Sequence, residues 1–459
     1  MMALEGVAGA GKTTSLAAVR EAAVLGGYEV EGLAPTSRAA QKLGEAGMET
    51  QTLQKHLARG EQPDDGQKRL YVIDESSMAS TKQMLTFVER LKENDRVLFV
   101  GDTRQHEAVE AGRPYAQLQD AGLRTAQLDE IIRQKDPALK EVVEQLARGE
   151  VRQAIASLNL QGRVHEISNR QERNAEIARE YVRQPERTLV VSPDNESRRE
   201  INGHIHRAMQ DAGQVKGEEH RVHVLYARQD ITGADRQHAQ NYEKGDVIRY
   251  SKGSKPLGIE AGEYARVTAT DRETNTVTVK RRNGEELSYD PRRLQGVAVY
   301  RDTERTFAEG DRIQMTAPYR DHKLANRELG TVDKIDGQGN LKLRMDSGRE
   351  VAFNTRQHPH LDYGYAVTSH SSQGQTADRV LIHVDSAQGH GELLNSRMAY
   401  VSVSRAQYDV KMYTNDAKTL GFELSRDVTK TTALDHPEAG ERIKPQSEGL
   451  DISLGLSLG

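Results

Sequence analysis

Short apolar runs alternate with helical patterns through the first 135 residues of the chain. Leu70–Ile73 and Val97–Val100 are continuous apolar runs, as expected for strands buried on both faces of a parallel sheet. Thr13–Leu25 has a helical pattern that ends at a pair of glycines. Met1–Glu5 has the pattern of a strand that has already begun, so we expect this chain to be a fragment of a longer protein. This alternation predicts β–α–β units and a doubly wound parallel sheet.

The pattern changes twice further along the chain. From Pro137 to about Asp211 it is mostly helical, with one strong strand at Thr188–Ser192. After residue 360 the alternation of strands and helices returns, with strands expected at Gly364–Thr368, Arg379–Val384 and Asp409–Tyr413. These segments predict a second α/β sheet.

The intervening residues, from about 218 to 355, are rich in β-branched residues, glycine and charge. A weak repeat relates Lys244–Ile248 to Glu309–Ile313. In each copy a second strand follows, and then a hairpin; these features are Ala265–Thr268 with Gly284, and Gly330–Lys334 with Gly348. We expect two small SH3-like or OB-like β-barrels. The alternative is one irregular antiparallel sheet.

These changes in the pattern of apolar and polar residues divide the chain into five segments. They are a first α/β domain (1–135), the start of a second α/β domain with a helical segment (136–217), a β-barrel insertion (218–357), the remainder of the second domain (358–426) and a flexible tail (427–459).

Composition excludes several classes of protein. There is no cysteine, so disulfides, thiolate zinc sites and iron–sulfur clusters are excluded. No stretch approaches the roughly 20 apolar residues of a membrane span, and the start lacks the features of a signal peptide, so we expect a cytoplasmic protein without membrane insertion. Because the net charge is −5, any nucleic-acid contact depends on local basic stretches such as Lys280–Arg282 and Arg292–Arg293.

The first candidate site is a phosphate-binding loop between the first strand and the first helix. Its sequence matches G-x-x-x-x-G-K-[ST], in which glycines let backbone N–H groups surround phosphates. Lys12 is expected to reach the β- and γ-phosphates of ATP, and Thr13 to bind Mg²⁺. The full set of predicted nucleotide-binding residues here is Gly6, Gly9, Gly11, Lys12, Thr13 and Thr14.

Two further strands end in polar residues. Asp74 and Glu75 follow the apolar run at 70–73, and Gln105 lies four residues after the end of the run at 98–101. One carboxylate, Asp74, suits the Mg²⁺ shell, and Glu75 suits the activation of a water molecule. Ligands of open α/β sheets bind at the carboxyl ends of strands, so these residues are expected to meet one nucleotide, with Gln105 sensing its γ-phosphate.

An ordered series of motifs resembles the superfamily 1 helicases. Within that superfamily the chain is similar to the RecD-like 5′→3′ branch, and most of all to the helicase part of TraI/TrwC-type (MobF) conjugative relaxases. The motifs that carry the resemblance are the phosphate-binding loop, Ala34–Ala40, Asp74–Met78, Gly101–Gln105, Glu130–Gln134, Tyr365–Thr376 and Tyr400–Ala406.

The resemblance implies two RecA-like domains of the P-loop NTPase type that share one ATP. Arg133 and Arg405 would then contact the γ-phosphate, and Gly374 would line the nucleotide site. Sequence-independent contacts to single-stranded DNA are expected from Thr36, Ser37, Arg38, Thr368, His370, Ser372 and Gln373.

The implied function is an ATP-dependent 5′→3′ translocase or helicase that acts in conjugative plasmid DNA transfer, with other conjugation or relaxosome proteins as partners. No segment resembles the family's nicking domain, so no transesterase site is expected. Neither His204 with His206 nor His358 with His360 has a third ligand nearby, which argues against a metal site. Two alternatives stay open: a weakly active DNA-binding scaffold fragment, and a RecD-like repair helicase or exonuclease subunit.

Overall fold

The computed structural model describes residues 1–60, 64–107, 112–228, 230–231, 233–387 and 391–428. The predicted flexible tail therefore lies outside the described residues from 429 onward. The chain divides into two compact units, and each is described by itself. Unit one comprises residues 1–155, 394–404 and the described residues from 421 onward, whereas unit two comprises 156–393 and 405–420.

Unit one is built on a six-stranded parallel sheet. The strands are β1 (Met2–Gly6), β2 (Glu29–Ala34), β3 (Glu49–Thr52), β4 (Arg69–Ile73), β5 (Arg96–Gly101) and β6 (Thr125–Leu128). Their order across the sheet is β3-β2-β4-β5-β1-β6, and every neighbouring pair is parallel. The sequence predicted β1, β4 and β5, which occupy central positions of this sheet.

Helices connect the strands along the whole chain. They are α1 (Lys12–Leu25), α2 (Ser37–Gly44), α3 (Leu53–Ala58), α4 (Thr81–Val88), α5 (Pro114–Asp120), α6 (Pro137–Ala147), α7 (Val151–Leu160), α8 (Arg170–Val182), α9 (Asn195–Asp211), α10 (Ser369–Ser372), α11 (Ser396–Val403) and α12 (Ala417–Leu424). Local signals explain several starts. Ser80 and Gln83 form a reciprocal capping box before α4, and Asp136 caps α6, whose first residue is proline.

Two apolar clusters cover the two faces of the unit-one sheet. Phe99 and Tyr71 belong to one cluster, together with Phe87 of α4. Leu98 and Val72 belong to the other, together with Leu16 of α1. Because successive strand residues point to opposite faces, burial on both faces requires a continuous apolar run, which is the pattern seen in β4 and β5.

Unit two combines a parallel sheet with two antiparallel sheets. Its strands are β7 (Val164–Glu166), β8 (Thr188–Ser192), β9 (Lys216–Ala227), β10 (Val247–Tyr250), β11 (Tyr264–Asp271), β12 (Thr276–Arg281), β13 (Glu286–Tyr289), β14 (Val297–Glu309), β15 (Arg312–Met315), β16 (Leu329–Ile335), β17 (Asn340–Met345), β18 (Glu350–Asn354), β19 (Leu361–Tyr363), β20 (Ala366–Thr368), β21 (Ala377–Val384) and β22 (Ala406–Thr414). The parallel sheet has the order β20-β8-β21-β22-β7. The predicted class, two parallel α/β sheets with a β-rich insertion in the second, is confirmed.

The β-rich insertion holds two separate antiparallel sheets, so the single irregular sheet is wrong. One has the order β13-β12-β11-β10-β14-β9 and the other β18-β17-β16-β15-β19. The first four strands of each order occupy equivalent positions. Closure of either sheet into an SH3-like or OB-like barrel remains a prediction.

The sequence repeat is also a repeat of hydrogen bonds. Gly245 and Gly310 have φ angles of 98° and 95°, which favour glycine. Each donates its N–H to the second strand of its copy, at Val267 or Val332, with an N···O distance of 2.9 Å in both. The aspartate that follows each glycine is buried in both copies. The two copies therefore share one local design.

Several short or polar strands escaped the sequence analysis. The region 137–211 contains β7 as well as the predicted β8. A long ribbon formed by β9 and β14 was also missed. The two strands of this ribbon are rich in charged residues on the exposed side, which hides the apolar alternation.

Candidate functional site

The phosphate-binding loop follows β1 and leads into α1. Gly9 and Gly11 have φ angles of 87° and 76°, in the left-handed region. A Cβ on Gly9 would lie 2.7 Å from the Cβ of Arg133, and one on Gly11 would lie 3.0 Å from Ile132. Both positions therefore need glycine for backbone conformation and for close packing.

Lys12 lies across the mouth of its own loop. Its ammonium donates to the carbonyl oxygen of Gly6 at 2.5 Å and to that of Val7 at 3.4 Å. A Cβ on Gly6 would come within 2.8 Å of the Lys12 side chain. Gly6 therefore makes room for this lysine. Thr13, in the first turn of α1, is half-buried beside it, whereas Thr14 is exposed.

The acidic pair at the end of β4 lies in the field of Lys12. Burial raises the pKa of the Asp74 carboxyl to about 6, and the charge of Glu75 adds to this, while Lys12 opposes it. The N–H of Glu75 donates to Asp74 Oδ1 at 2.8 Å. Glu75 has a φ angle of 52°, an uncommon conformation for a residue with a side chain. Such strain is often found at functional sites.

Asp102 and Gln105 form a buried pair after β5. Gln105 Nε2 donates to Asp102 Oδ2 at 2.9 Å. Burial raises the pKa of Asp102, and the charge of Lys12 opposes this shift. Because Lys12 acts on both Asp74 and Asp102, the ends of β1, β4 and β5 meet at one place. Within the described part of the chain, the buried Oε1 atom of Gln105 accepts no hydrogen bond.

Residues of α11 hold this arrangement, and the sequence analysis gave them no role. The Tyr400 hydroxyl accepts a hydrogen bond from the N–H of Ala8 at 2.6 Å and donates to Asp102 Oδ2 at 2.9 Å. Arg397 donates to the carbonyl oxygens of Thr103 and Gln105 at 2.8 and 2.5 Å. Tyr400 opens the last helicase-like motif, but its residue type alone does not distinguish it from an ordinary core tyrosine.

Arg133 lies beside the phosphate-binding loop, as the packing against Gly9 requires. Its guanidinium donates to the carbonyl oxygen of Ser404 at 2.8 Å, and the Gln134 amide donates to the same oxygen at 3.2 Å. Arg133, Gln134 and Ser404 all belong to unit one. The expected contact of Arg133 with a γ-phosphate remains a prediction.

Arg405 belongs to unit two and is almost fully buried there. Its Nη1 donates to the carbonyl oxygen of Gln375 at 3.4 Å, and its own carbonyl accepts from Ala377 at 3.0 Å. Gly374, just before Gln375, has a φ angle of 78°. The predicted meeting of Arg405 and Lys12 across one triphosphate remains a prediction.

The residues expected to contact DNA begin helices in both units. Thr36 caps α2, accepting from the N–H of Ala39 at 3.2 Å, and exposed Ser37 and half-buried Arg38 follow it. In unit two, Thr368 caps α10 through the N–H of Ser371 at 3.3 Å. His370 is half-buried in this turn, and Gln373 is buried after it.

Ser372 differs from the others in this set. Its side chain is fully buried, and its hydroxyl donates to the carbonyl oxygen of Ser369 at 2.7 Å. The residue therefore shapes the α10 turn, and this geometry does not present its hydroxyl to a strand of DNA.

A basic cavity of about 580 Å³ lies between the two antiparallel sheets of unit two. Lys280 and Arg282 line it, and the guanidinium of Arg282 lies 5.2 Å from the ring centre of Tyr264. Arg281, between them, is paired with Glu263 and Glu285, which reduces its charge. The second basic stretch is weaker, because Arg292 is paired with Asp290.

The two histidine pairs have other partners. His358 stacks on Tyr319 at a ring distance of 4.2 Å, and His360 Nε2 lies 2.7 Å from the hydroxyl of Tyr264. Burial lowers the pKa of His358 to about 4 and that of His360 to about 3. His206 contacts Asp311 at 2.7 Å, and His204 contacts Gln171 at 2.9 Å. No group of three metal-ligating side chains occurs among the residues whose positions are given.

Comparison with known proteins places these motifs in a wider context. The AAA domain family matches residues 1–169, and the UvrD-like helicase C-terminal domain family matches residues 363–412. The multifunctional conjugation protein TraI of Escherichia coli is 27% identical over 497 residues, covering 94% of this chain and 27% of TraI. Conjugal transfer protein TraA of Agrobacterium fabrum is 28% identical over 461 residues, covering 98% of this chain and 34% of TraA. The chain thus spans about a quarter to a third of the length of these relatives.

One further relative and two solved structures are also similar to this chain. The ATP-dependent RecD2 DNA helicase of Deinococcus radiodurans is 35% identical over 156 residues, which cover 32% of this chain and 21% of RecD2. Bacteroides Pif1 bound to single-stranded DNA is 18% identical with a TM-score of 0.52, covering 93% of this chain and 91% of Pif1. A structure of two coordinating Pif1 helicases at forked double-stranded DNA is 17% identical with a TM-score of 0.50, covering 93% of this chain and 90% of that one. At this identity the likeness concerns the fold alone.

The fold and the nucleotide-site motifs define a P-loop NTPase of helicase architecture. By its sequence matches the chain resembles the superfamily 1 helicases of the RecD-like branch, and it is similar to about a quarter of the length of TraI. None of the helices within the described ranges is long and apolar enough to cross a membrane.

Proposed function

We propose that the protein is an ATP-dependent helicase that moves 5′→3′ on single-stranded DNA and acts in conjugative plasmid transfer. The observation that supports this best is the convergence of three strand ends on Lys12. The charge of Lys12 acts on both Asp74 and Asp102. A lysine close to carboxylates in this way is the arrangement that an NTPase uses to bind phosphates and a metal ion together. A binding scaffold without turnover has no need of this buried charge arrangement.

The side chains have complementary roles in hydrolysis. Lys12 leaves the carbonyl oxygen of Gly6 to bind the β- and γ-phosphates. Glu75 orients the attacking water and accepts its proton, and Gln105 contacts the γ-phosphate through its buried amide. Arg133 and Arg405 supply positive charge where negative charge develops in the transition state. Because these two arginines belong to different units, hydrolysis can be coupled to domain motion.

The oxygen donors at the start of α1 and the end of β4 suit Mg²⁺. Thr13 and Asp74 offer a hydroxyl and a carboxylate, which are the hard oxygen ligands that this ion prefers. Burial that raises the pKa of Asp74 to about 6 also makes a cation at this position favourable. When bound, the ion neutralises phosphate charge in the transition state.

A test of polarity addresses the proposal directly. Duplexes with a single-stranded 5′ or 3′ tail are mixed with the protein, ATP and Mg²⁺, and strand release is followed. We expect unwinding of the 5′-tailed substrate only, and ATP hydrolysis that rises with single-stranded DNA. A rate of ATP hydrolysis that does not change when DNA is added, or unwinding of the 3′-tailed substrate, would contradict the proposal. Lys12→Ala serves as the inactive control.

The DNA contacts that we propose are at the helix start at Thr36 in unit one and, in unit two, at the helix start at Thr368 and in the basic cavity. Ser37 and Arg38 in unit one, and His370 and Gln373 in unit two, complete the helix-start contacts, which address the backbone rather than the bases. A solved Pif1 relative is bound to single-stranded DNA. In the cavity, the ring of Tyr264 beside Arg282 suits base stacking combined with phosphate contact.

Charge removal tests the cavity. Lys280→Ala with Arg282→Ala should weaken binding of single-stranded DNA about tenfold, and should reduce the slope of log K against log salt by about 1.4, since each phosphate contact contributes about 0.7. Lys342→Ala with Arg344→Ala removes the same charge from β17, outside the cavity lining. Equal losses in the two variants would show that only overall charge matters.

The match to RecD2 favours a second candidate, a DNA-repair helicase or exonuclease subunit. The matches to TraI and TraA cover nearly the whole chain, whereas the RecD2 match covers 32% of it, so conjugation is the better supported setting. Deletion of the gene distinguishes the two: a conjugation helicase lowers plasmid transfer when lost, and a repair subunit lowers survival after DNA damage.

A further inference from the structure

The hydroxyl of Tyr400 joins two parts of the nucleotide site. It accepts a hydrogen bond from the N–H of Ala8 in the phosphate-binding loop, at 2.6 Å, and donates one to Asp102 Oδ2, at 2.9 Å. Tyr400 and Asp102 are each 1% exposed, and Ala8 is 2% exposed. These groups are shielded from water, so the hydroxyl takes the place of solvent for both partners.

Asp102 links Tyr400 to Gln105. The same oxygen, Oδ2, also accepts from Gln105 Nε2 at 2.9 Å. Burial raises the pKa of Asp102, and Lys12, Gln105 and Tyr400 all oppose the shift, whereas Glu5 adds to it. The tyrosine thus helps to keep the carboxylate ionised, and an ionised carboxylate holds the Gln105 amide more firmly than a neutral one.

The helix that carries Tyr400 grips the same loop at a second point. Arg397 lies three residues earlier, on the same face of α11. Its guanidinium donates to the carbonyl oxygens of Thr103 and Gln105, and it pairs with Glu107 at 2.6 Å. Backbone and side chain of Gln105 are therefore both fixed from α11.

We propose that Tyr400 is a positioning residue for ATP hydrolysis, which sets Gln105 relative to the phosphate-binding loop through Asp102. The inference rests on the proposed ATPase function. The hydroxyl of Tyr400 bonds to Ala8 and Asp102, which are not among the residues expected to contact the nucleotide, so its loss should affect the turnover rate more than nucleotide binding. We expect the groups from Gly9 to Thr13, which are proposed to bind the phosphates, to keep their places without it.

Kinetic coupling tests this role. ATP turnover and nucleotide affinity are measured for the wild type, Tyr400→Phe, Gln105→Ala and the double variant. We expect Tyr400→Phe to lower kcat about tenfold and to change the nucleotide Kd less than about threefold. The double variant should be no slower than Gln105→Ala alone, because both changes break one chain of contacts. Losses that multiply, or a wild-type kcat for Tyr400→Phe, would overturn the proposal.

A matched tyrosine in the same unit controls for simple loss of a buried hydrogen bond. Tyr115 is also 1% exposed, and its hydroxyl donates to the carbonyl oxygen of Leu4 at 3.0 Å. Tyr115→Phe should therefore reduce thermal stability to a similar extent as Tyr400→Phe while keeping kcat. Equal kcat losses in both variants would assign Tyr400 a purely structural role.

Amide hydrogen exchange separates this inference from the proposed function, because it needs no nucleotide. Tyr400→Phe should accelerate exchange of the Ala8 amide about tenfold or more, whereas Tyr115→Phe should leave it unchanged. Unchanged exchange at Ala8 would overturn the contact itself. A wild-type protein that shows the expected exchange but hydrolyses no ATP would instead contradict the proposed function.

Discussion

The N–H of Ile132 donates to the carbonyl oxygen of Gly9 across 3.0 Å. The segment after β6 therefore forms a wall of the phosphate-binding loop, and the next residue, Arg133, packs directly against Gly9. A motif more than a hundred residues away in sequence thus shapes the loop that holds phosphate.

Substitution of Gly9 should reveal this close packing. Gly9→Ala introduces a Cβ 2.7 Å from Arg133 and forces an unfavourable φ, whereas Gly27→Ala, at a φ of 77°, meets nothing within 4 Å. We expect Gly27→Ala to reduce the free energy of unfolding by about 1–2 kcal/mol. Gly9→Ala should reduce it further and also weaken nucleotide binding, as measured by urea unfolding and nucleotide titration. Identical effects of the two changes would exclude a role for the contact with Arg133.

Removal of the Lys12 ammonium should abolish ATP hydrolysis. The charge of this side chain acts on both Asp74 and Asp102, and without it the phosphates lose the cation that is proposed to bind them. Lys12→Ala should remain folded, as judged by circular dichroism, while nucleotide binding falls. Lys55→Ala, an exposed change in the same unit, is expected to keep wild-type turnover. Residual hydrolysis by Lys12→Ala above one-tenth of the wild-type rate would be incompatible with the site described.

Neutralisation of Glu75 should separate binding from turnover. Glu75→Gln keeps the shape of the side chain and removes the general base, so kcat should fall at least about 10²-fold. Nucleotide affinity should be retained or increase, because the substitution also removes a negative charge that raises the pKa of Asp74. Rapid-quench measurement of one turnover gives the rate of the chemical step. A variant with wild-type turnover would rule out this role for Glu75.

Acid should destabilise unit two through His358 and His360. Burial lowers the pKa of these imidazoles to about 4 and about 3, so between pH 6.5 and these values the unfolded chain binds protons that the folded protein does not. The free energy of unfolding should therefore fall by about 1.4 kcal/mol per pH unit for each imidazole as the pH drops below 6.5. Urea unfolding at several pH values measures this slope. His360→Gln should reduce the slope by one such contribution, and an unchanged slope would contradict the assignment.

Much of the nucleotide site was accessible from the sequence, because its chemistry depends on residue types at fixed spacing. The glycines and Lys12 follow a strand, and Asp74 and Glu75 end a continuous apolar run. The burial of both sheet faces explains why these strands were easy to predict. The roles of the individual residues in turnover remain predictions.

The missed features have physical reasons. β7 has only three residues, at the edge of its sheet, and β3 contains polar residues throughout. Neither has the apolar run that identifies a central strand. Tyr400 was overlooked because the sequence does not distinguish a buried tyrosine that makes two hydrogen bonds from one that only packs in the core. Its partners come from segments about 300 and 390 residues away, and only the fold brings them together.

The repeated β-sheets of unit two share a buried aspartate at the same position, but its partner differs. Asp246 pairs with Arg228, with an N···O distance of 2.7 Å, whereas Asp311 contacts His206 at the same distance. Although burial lowers the pKa of His206, its contacts with Asp311 and Glu219 outweigh this and raise the pKa. Arginine keeps its proton at any physiological pH, and histidine does not. Of the two repeated sheets, one therefore has an ion pair, Arg228 with Asp246, that persists at alkaline pH. The other has a pair, His206 with Asp311, that weakens when the histidine loses its proton.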